Sequence, residues 1–470
     1  MLQRLQRSLW IFISGILLTF SVIATAQDNV GEDSTVVYPS DYFVEWAPVT
    51  AQDMLDRIPG LSGGGGGRSG FSGFRGGGGP PGGFRGGGSG GRGFGGGSRG
   101  SEILINGKRT AGKNNSTGGQ LTRITSGQVD YIEIIRGTSG ELDVRGSGQV
   151  INVVLYDALS TSITQYAVGA QQSENNTVTP SGSVSFSGQQ GDLDFQLEAR
   201  ASDVFFRNIS RENSILGDFS PNDEIYEERA TDGSNSTISA NLGYEINNKS
   251  SARINAQFTE GEGDNETIRR TTDLKVLPNL NVFQREDSPS EIENWEIGGD
   301  YEYNTERGDR LKFLFITNAF TRSSTRERFD ITGINSEDKN LFLDSGSTTR
   351  ERIARGSYTF DMFGGSQDIE IGAERAQTIL DSKLALGVRS SSGTPSDALG
   401  GLVPVAVSNA NSSVEEIRVE PFMIHNWIFS PRMSLETSVL YEDSEITQRG
   451  DVAKKRDFGF VKPKMDFRYD

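Results

Sequence analysis

From residue 158 to residue 470 the chain repeatedly alternates apolar with polar side chains, and period two suits an extended strand whose two faces meet different surroundings. In Leu193-Asp194-Phe195-Gln196-Leu197-Glu198-Ala199-Arg200-Ala201 every second residue is apolar. The same device recurs at Ile238 to Tyr244, Ala252 to Phe258, Trp295 to Tyr303 and Met433 to Val439. Runs of about ten such residues between turns and polar loops are the pattern of an antiparallel barrel, apolar outside and wet inside. A soluble β-sandwich or β-helix also alternates. The membrane barrel is favoured by strand length and by aromatic residues at strand ends: Tyr244, Phe258, Tyr303 and Trp427. Acidic stretches expected to be long loops, such as Gly261 to Glu266, point the same way.

The start of the chain supports export. Arg4 and Arg7 precede an apolar run from Leu9 to Ile23, and Ala24-Thr25-Ala26 offers a cleavage site, so residues 1–26 read as a signal peptide. The run contains Ser14, Gly15, Thr19 and Ser21 and is shorter than the roughly 20 apolar residues of a spanning helix. No later segment is apolar for long enough to cross a membrane as a helix.

Composition narrows the chemistry. With no cysteine there is neither a disulfide nor a thiolate metal site, and the single histidine, His425, removes imidazole metal clusters and histidine-based triads. No catalytic residue, metal site or cofactor is expected. A formal charge of −17 disfavours non-specific attraction to nucleic acid.

Between these parts lies a different texture. Thr35-Val36-Val37-Tyr38 before Pro39 has strand propensity but is too short for a sheet of its own; it reads as an edge strand offered to another sheet or as a disordered leader. In Pro48 to Gly60, Thr50 caps a short helix, Asp53 completes a capping box, and Met54, Leu55 and Ile58 form one apolar face. Residues 61–100 are glycine-dominated, carry Arg68, Arg75, Arg85, Arg92 and Arg99, and repeat Gly-Phe-Arg-Gly-Gly-Gly at a period of ten. Ordering so much glycine costs too much backbone entropy for the tract to pack by itself, so it reads as a flexible basic loop and a tolerated repeat expansion. Then come a strand Ile103-Leu104-Ile105, the turn Asn106-Gly107, a short helix near Gly119 to Thr125, and strands Tyr131 to Gly137 and Val150 to Leu155. Together they suggest a small α/β domain over residues 48–157.

This order resembles the TonB-dependent outer-membrane receptor family. The resemblance is carried by Val49 to Gly60, Ile103 to Arg109, Val129 to Gly137 and Val150 to Val154, which together cover the small domain. It implies a transmembrane β-barrel with an α/β plug in its lumen, and a coupling segment in residues 27–47 that meets TonB, the inner-membrane energy-transducing protein, by strand addition. Thr35, Val36, Val37 and Tyr38 fit that segment by position. The plug motif falls on Asn106, Gly107, Glu133, Arg136 and Gly137. Residues 158–470 are then the N-terminal part of the barrel, with about eleven candidate strands against about 22 in plugged receptors. A plug of ~13 Å radius of gyration does not fit a barrel of a dozen strands, so the barrel is expected to be incomplete in this chain.

The alternation places Glu198, Arg200, Arg253, Glu296, Asp300 and Glu302 toward the lumen. The function implied is energy-coupled uptake of a scarce small ligand, such as a siderophore or an oligosaccharide, across the Gram-negative outer membrane, with TonB and membrane lipid as partners and no chemical step. Two other readings compete. One is an adhesive or structural barrel without transport; the other, more remote, is RNA binding through the Phe-Arg-Gly-Gly repeats. The acids Asp264 and Glu266, expected in a loop, suit solvent better than a bound Ca²⁺.

Overall fold

The computed structural model describes residues 35–59, 102–108, 121, 124–136, 149–156, 162–173, 175–430 and 433–469. The signal peptide, the Gly/Arg tract, Gly137 and most of the helix expected near residues 119–125 lie outside them.

The N-terminal part buries its apolar residues conventionally. Strands β1 (Thr35–Pro39), β2 (Glu102–Ile105), β3 (Val129–Arg136) and β4 (Gln149–Leu155) form one sheet in the order β1-β3-β4-β2, with β2 and β4 parallel and the other pairs antiparallel. Helix α1 (Ala51–Leu55) forms where the sequence places it. Thr50 Oγ1 accepts from Asp53 N, and Asp53 Oδ2 accepts from Thr50 N at 2.9 Å, closing the capping box. Its buried face, Met54 and Leu55 followed by Ile58, joins Phe43, Leu121, Ile124, Val129, Ile132 and Val153 in one core. After Pro39 a 3-10 turn, Ser40–Trp46, carries Tyr42, Phe43 and Trp46, whose rings pack in sequence against Tyr38.

The second part reverses that burial. Fourteen strands, among the described residues, form one antiparallel sheet. They are β5 (Ile163–Gln172), β6 (Val178–Gln190), β7 (Leu193–Ile215), β8 (Pro221–Asn247), β9 (Ser250–Asp273), β10 (Leu280–Asp287), β11 (Ser290–Asn304), β12 (Arg310–Gly333), β13 (Ser336–Met362), β14 (Gln367–Val388), β15 (Val403–Val405), β16 (Asn411–Ser430), β17 (Met433–Gly450) and β18 (Lys454–Tyr469). The sequence reading finds fewer because β10 and β11 lie end to end between β9 and β12, and β15 has only three residues on β14.

Register shows which face is which. Leu242 opposes Ile254, Ile254 opposes Gly299, and Gly299 opposes Phe315, while the row beside them runs Asn241, Asn255, Gly298. On the first face Ile238, Leu242, Ile254, Phe258, Ile297, Phe313, Phe315, Met423, Val439 and Val461 are between 41% and 63% exposed. On the second, Asn255, Glu296, Asp300, Glu374 and Arg418 are almost wholly buried. Leaving ten large apolar side chains about half exposed to water forgoes roughly 7–15 kcal/mol, about half of the 1.5–3 kcal/mol that each would gain on full burial, as much as the 5–15 kcal/mol by which a domain is usually stable. The wall therefore needs an apolar solvent outside it. No helix among the described residues is long and apolar enough to cross a membrane; the crossing elements are strands.

Two sequence expectations change. Strands expected to be about ten residues long reach 27 in β8 and β13. The stretch Gly261 to Glu266, expected to be a loop, lies inside β9, where Asp264 stands opposite Asp232 of β8. Both differences share a cause. Beyond the apolar band the ladder continues on polar side chains, held by cross-strand pairs such as Arg207 with Glu228 at 2.6 Å and Lys339 with Glu327 at 2.5 Å. A strand built on such pairs shows no apolar alternation. Among the described residues no group of three or more acids or histidines could hold a metal ion.

Candidate functional site

The small sheet meets the inward face of the wall at a cleft of about 610 Å³. On the plug side it is bounded by the turn after β2. Asn106 and Gly107 both adopt positive φ, +50° and +72°, and backbone hydrogen bonds run both ways between Ile105 and Lys108. That is the conformation an Asn-Gly pair favours in a two-residue hairpin. The turn is bound to β4: Asn106 N donates to Val153 O at 3.0 Å, Leu155 N donates to Asn106 Oδ1 at 2.8 Å, and Gly107 N donates to Asn152 Oδ1 at 2.7 Å. Asn152 in turn donates from Nδ2 to Glu133 Oε1 at 2.6 Å.

Asn152 is the only polar residue in Val150-Ile151-Asn152-Val153-Val154, and it is 3% exposed. A buried amide is tolerated when its donors and acceptor are used, and here they join the turn, β3 and β4. In the sequence, the signal for such a role is the polarity of Asn152 inside an otherwise apolar strand.

On the wall side the cleft is lined by Asp194 and Gln196 of β7, Asn241, Gly243 and Glu245 of β8, and Arg253 and Asn255 of β9. Arg253 reaches across to β11 and donates to Asp300 Oδ1 from Nε at 3.0 Å and Nη2 at 2.7 Å. Lys108, next to the turn, donates from Nζ to Glu245 Oε1 at 2.6 Å and to Ser251 Oγ at 3.1 Å. Glu245 and Ser251 are cross-strand partners at the β8–β9 hairpin. A second contact, Ser187 Oγ of β6 to Gln128 Oε1 at 3.4 Å, flanks the same cleft.

Of the residues expected from sequence to face the lumen, Arg253 and Asp300 are brought together here. Glu296 and Glu302 share Asp300's face of β11, and Glu296 is buried beside Gln257 and Asn318. Glu198 is half-buried and Arg200 exposed on β7, neither at the cleft. Within the plug motif Asn106, Gly107 and Glu133 converge through Asn152, while Arg136 ends β3. Lys108 and Glu245 were not singled out, yet Glu245 follows Tyr244 on the polar phase of the β8 alternation.

Thr35 to Tyr38, expected to add to another sheet, add to the plug's own. They pair antiparallel with Ile135 to Ile132 of β3, and β1 is an edge strand.

An inverted antiparallel wall with a small, separately cored α/β domain against its polar face is the architecture that the described residues define, and it is that of a membrane β-barrel wall. Solved structures that match include the FpvAI–pyocin S2 complex, at 12% identity and a TM-score of 0.43, covering 79% of this chain and 49% of that one. The ferric-catecholate import receptor Fiu from E. coli K12 matches at 11% identity and a TM-score of 0.32, covering 92% and 80%. The ferric yersiniabactin uptake receptor FyuA from Yersinia pestis matches at 9% and 0.29, covering 92% and 79%. The chain thus spans about half the length of the first of these, and by name the other two are receptors. No family model and no curated protein matches the chain.

Proposed function

We propose that the chain is the plug and N-terminal barrel wall of a TonB-dependent receptor in the Gram-negative outer membrane, taking up a scarce small ligand such as a siderophore or an oligosaccharide. One observation carries this reading. The wall buries charge and exposes hydrocarbon, and a separately cored α/β domain is tied to its charged face through Lys108. A purely structural or adhesive barrel has no use for such a domain. Short turns such as Asn247 to Ser250 lie at the end of the wall where the plug docks, which supports reading that end as periplasmic and the long polar extensions as outer.

In this reading a ligand binds at the outer end, and TonB acts from the periplasm on Thr35 to Tyr38. Support for strand addition comes from β1, which among the described residues pairs with β3 on one side only. Thr35→Pro in the full receptor tests it. Uptake should be lost while ligand still binds at the cell surface and the barrel keeps its heat-modifiable mobility on gels. Normal uptake in that variant would remove the coupling role from this segment.

A further inference from the structure

Resting on the transport reading, we infer that the cleft beside the Asn106-Gly107 turn is the ligand's way out of the lumen and that Lys108 is the latch that holds it shut. The cleft volume, about 610 Å³, is of the size that takes a small molecule. Its lining offers side-chain amides from both bodies, Gln128 on the plug and Gln189 and Gln196 on the wall, beside the phenol of Tyr156. Such a surface suits a polar solute rich in hydroxyl or carbonyl groups, which exchanges water for amide hydrogen bonds as it passes.

The mechanical arrangement is asymmetric. The turn is bonded to β4 through Asn106 and Asn152, so it moves with the plug sheet as one piece. Its tie to the wall is of another kind. Lys108 and Glu245 have side chains 28% and 49% exposed, and a pair so open to solvent is weak and screened by salt. The contact on the other flank, Gln128 with Ser187, is long at 3.4 Å. Among the described residues these two cleft contacts are thus weaker than the hydrogen bonds that hold the turn to β4, and a pull on the sheet breaks them first. Because β1 pairs with β3, and β3 with β4, force applied at Thr35 to Tyr38 reaches the turn through two ladders of the same sheet.

The chain has no cysteine, so a single one reports its own surroundings. In the full receptor expressed in cells, Gln196→Cys places a thiol in the cleft, and Ser357→Cys places one on the inward face of β13 away from it. The probe is a charged, membrane-impermeant methanethiosulfonate reagent, and the readout is the rate of modification. Lys108→Met, and separately Glu245→Gln, should raise the rate at Gln196→Cys several-fold and leave Ser357→Cys unchanged. No change at Gln196→Cys with either variant overturns the latch, and an equal rise at both thiols overturns it too, since the plug would then be loosened everywhere. With Lys108 intact, cells with TonB should label Gln196→Cys faster than cells lacking it. If Lys108→Met opens the cleft but TonB makes no difference, the latch stands and the transport reading falls.

Discussion

In the plug, Ile132 is wholly buried while Glu133 beside it is hydrogen-bonded at the edge of the cleft; in the wall, Ile254 is 53% exposed while Asn255 beside it is buried. Both pairs sit on antiparallel strands of similar local pattern. What separates them is the medium each face meets. The plug sheet is covered on its apolar face by α1 and the aromatic turn and follows the rule for a soluble domain. The wall buries charged side chains and exposes apolar ones and follows the inverse rule. Alternation fixes that two faces differ, and only the partner of each face decides which one is inside.

The comparison breaks first at its strongest point, the plug core. Ile132→Ala removes a fully buried side chain from a small domain and should cost about 2–5 kcal/mol. The expected outcome is a plug cleaved by protease at a lower temperature than the parent, with the heat-modifiable mobility of the barrel unchanged. If barrel assembly fails together with the plug, the two parts do not have separate cores.

Next in size is the outer face of the wall. Ile254→Arg puts a charge into the apolar band four residues from the Asn247–Ser250 turn and should cost about 1–3 kcal/mol, between the interface and midplane values, although arginine is the native residue one position away at Arg253. The check is folding into lipid vesicles across a urea series, with Arg253→Ile as the partner variant. That second change leaves Asp300 buried without its arginine and should also destabilise. Ile254→Arg folding as well as the parent would mean that this face does not meet hydrocarbon.

How much of this was legible follows the same division. The plug elements begin and turn where Thr50, Asp53 and Asn106-Gly107 mark them, because caps and turns depend on one or two local residues, whereas α1 ends at Leu55, ahead of Pro59. The lower half of each wall strand was legible from alternation. The upper half was not: Glu260, Glu262, Asp264 and Glu266 are paired to β8 by a ladder whose side chains are polar on both faces, so no period survives in the sequence. The cleft was half legible. Its turn could be named, but Glu245 lies 137 residues beyond Lys108, and only the fold brings them together.

A smaller effect tests the local signals themselves. Thr50→Ala removes the hydroxyl that accepts from Asp53 N and should cost about 1 kcal/mol, seen as a modest drop in protease resistance of the plug. A loss as large as that of Ile132→Ala would mean that the cap, rather than the core, organises this domain.

The smallest effect concerns the polar extensions, where charge replaces hydrocarbon. At the start of β13, Glu337 accepts from Arg285 at 2.7 Å across the top of the sheet, and that hydrogen bond holds its carboxyl below the usual carboxylate range. A carboxyl depressed in the folded state contributes stability at pH values above its unfolded pKa of about 4.3, and the contribution disappears as pH falls through the folded value. Glu337→Gln should therefore lower the protease resistance of the β12–β13 hairpin slightly at neutral pH. Variant and parent should converge once the pH drops well below 4.3 or so. High salt should also narrow the gap, because Glu337 is exposed and the pair is screened. A gap of constant size from neutral to strongly acidic pH would show that the extension rests on its backbone ladder and not on its ion pairs.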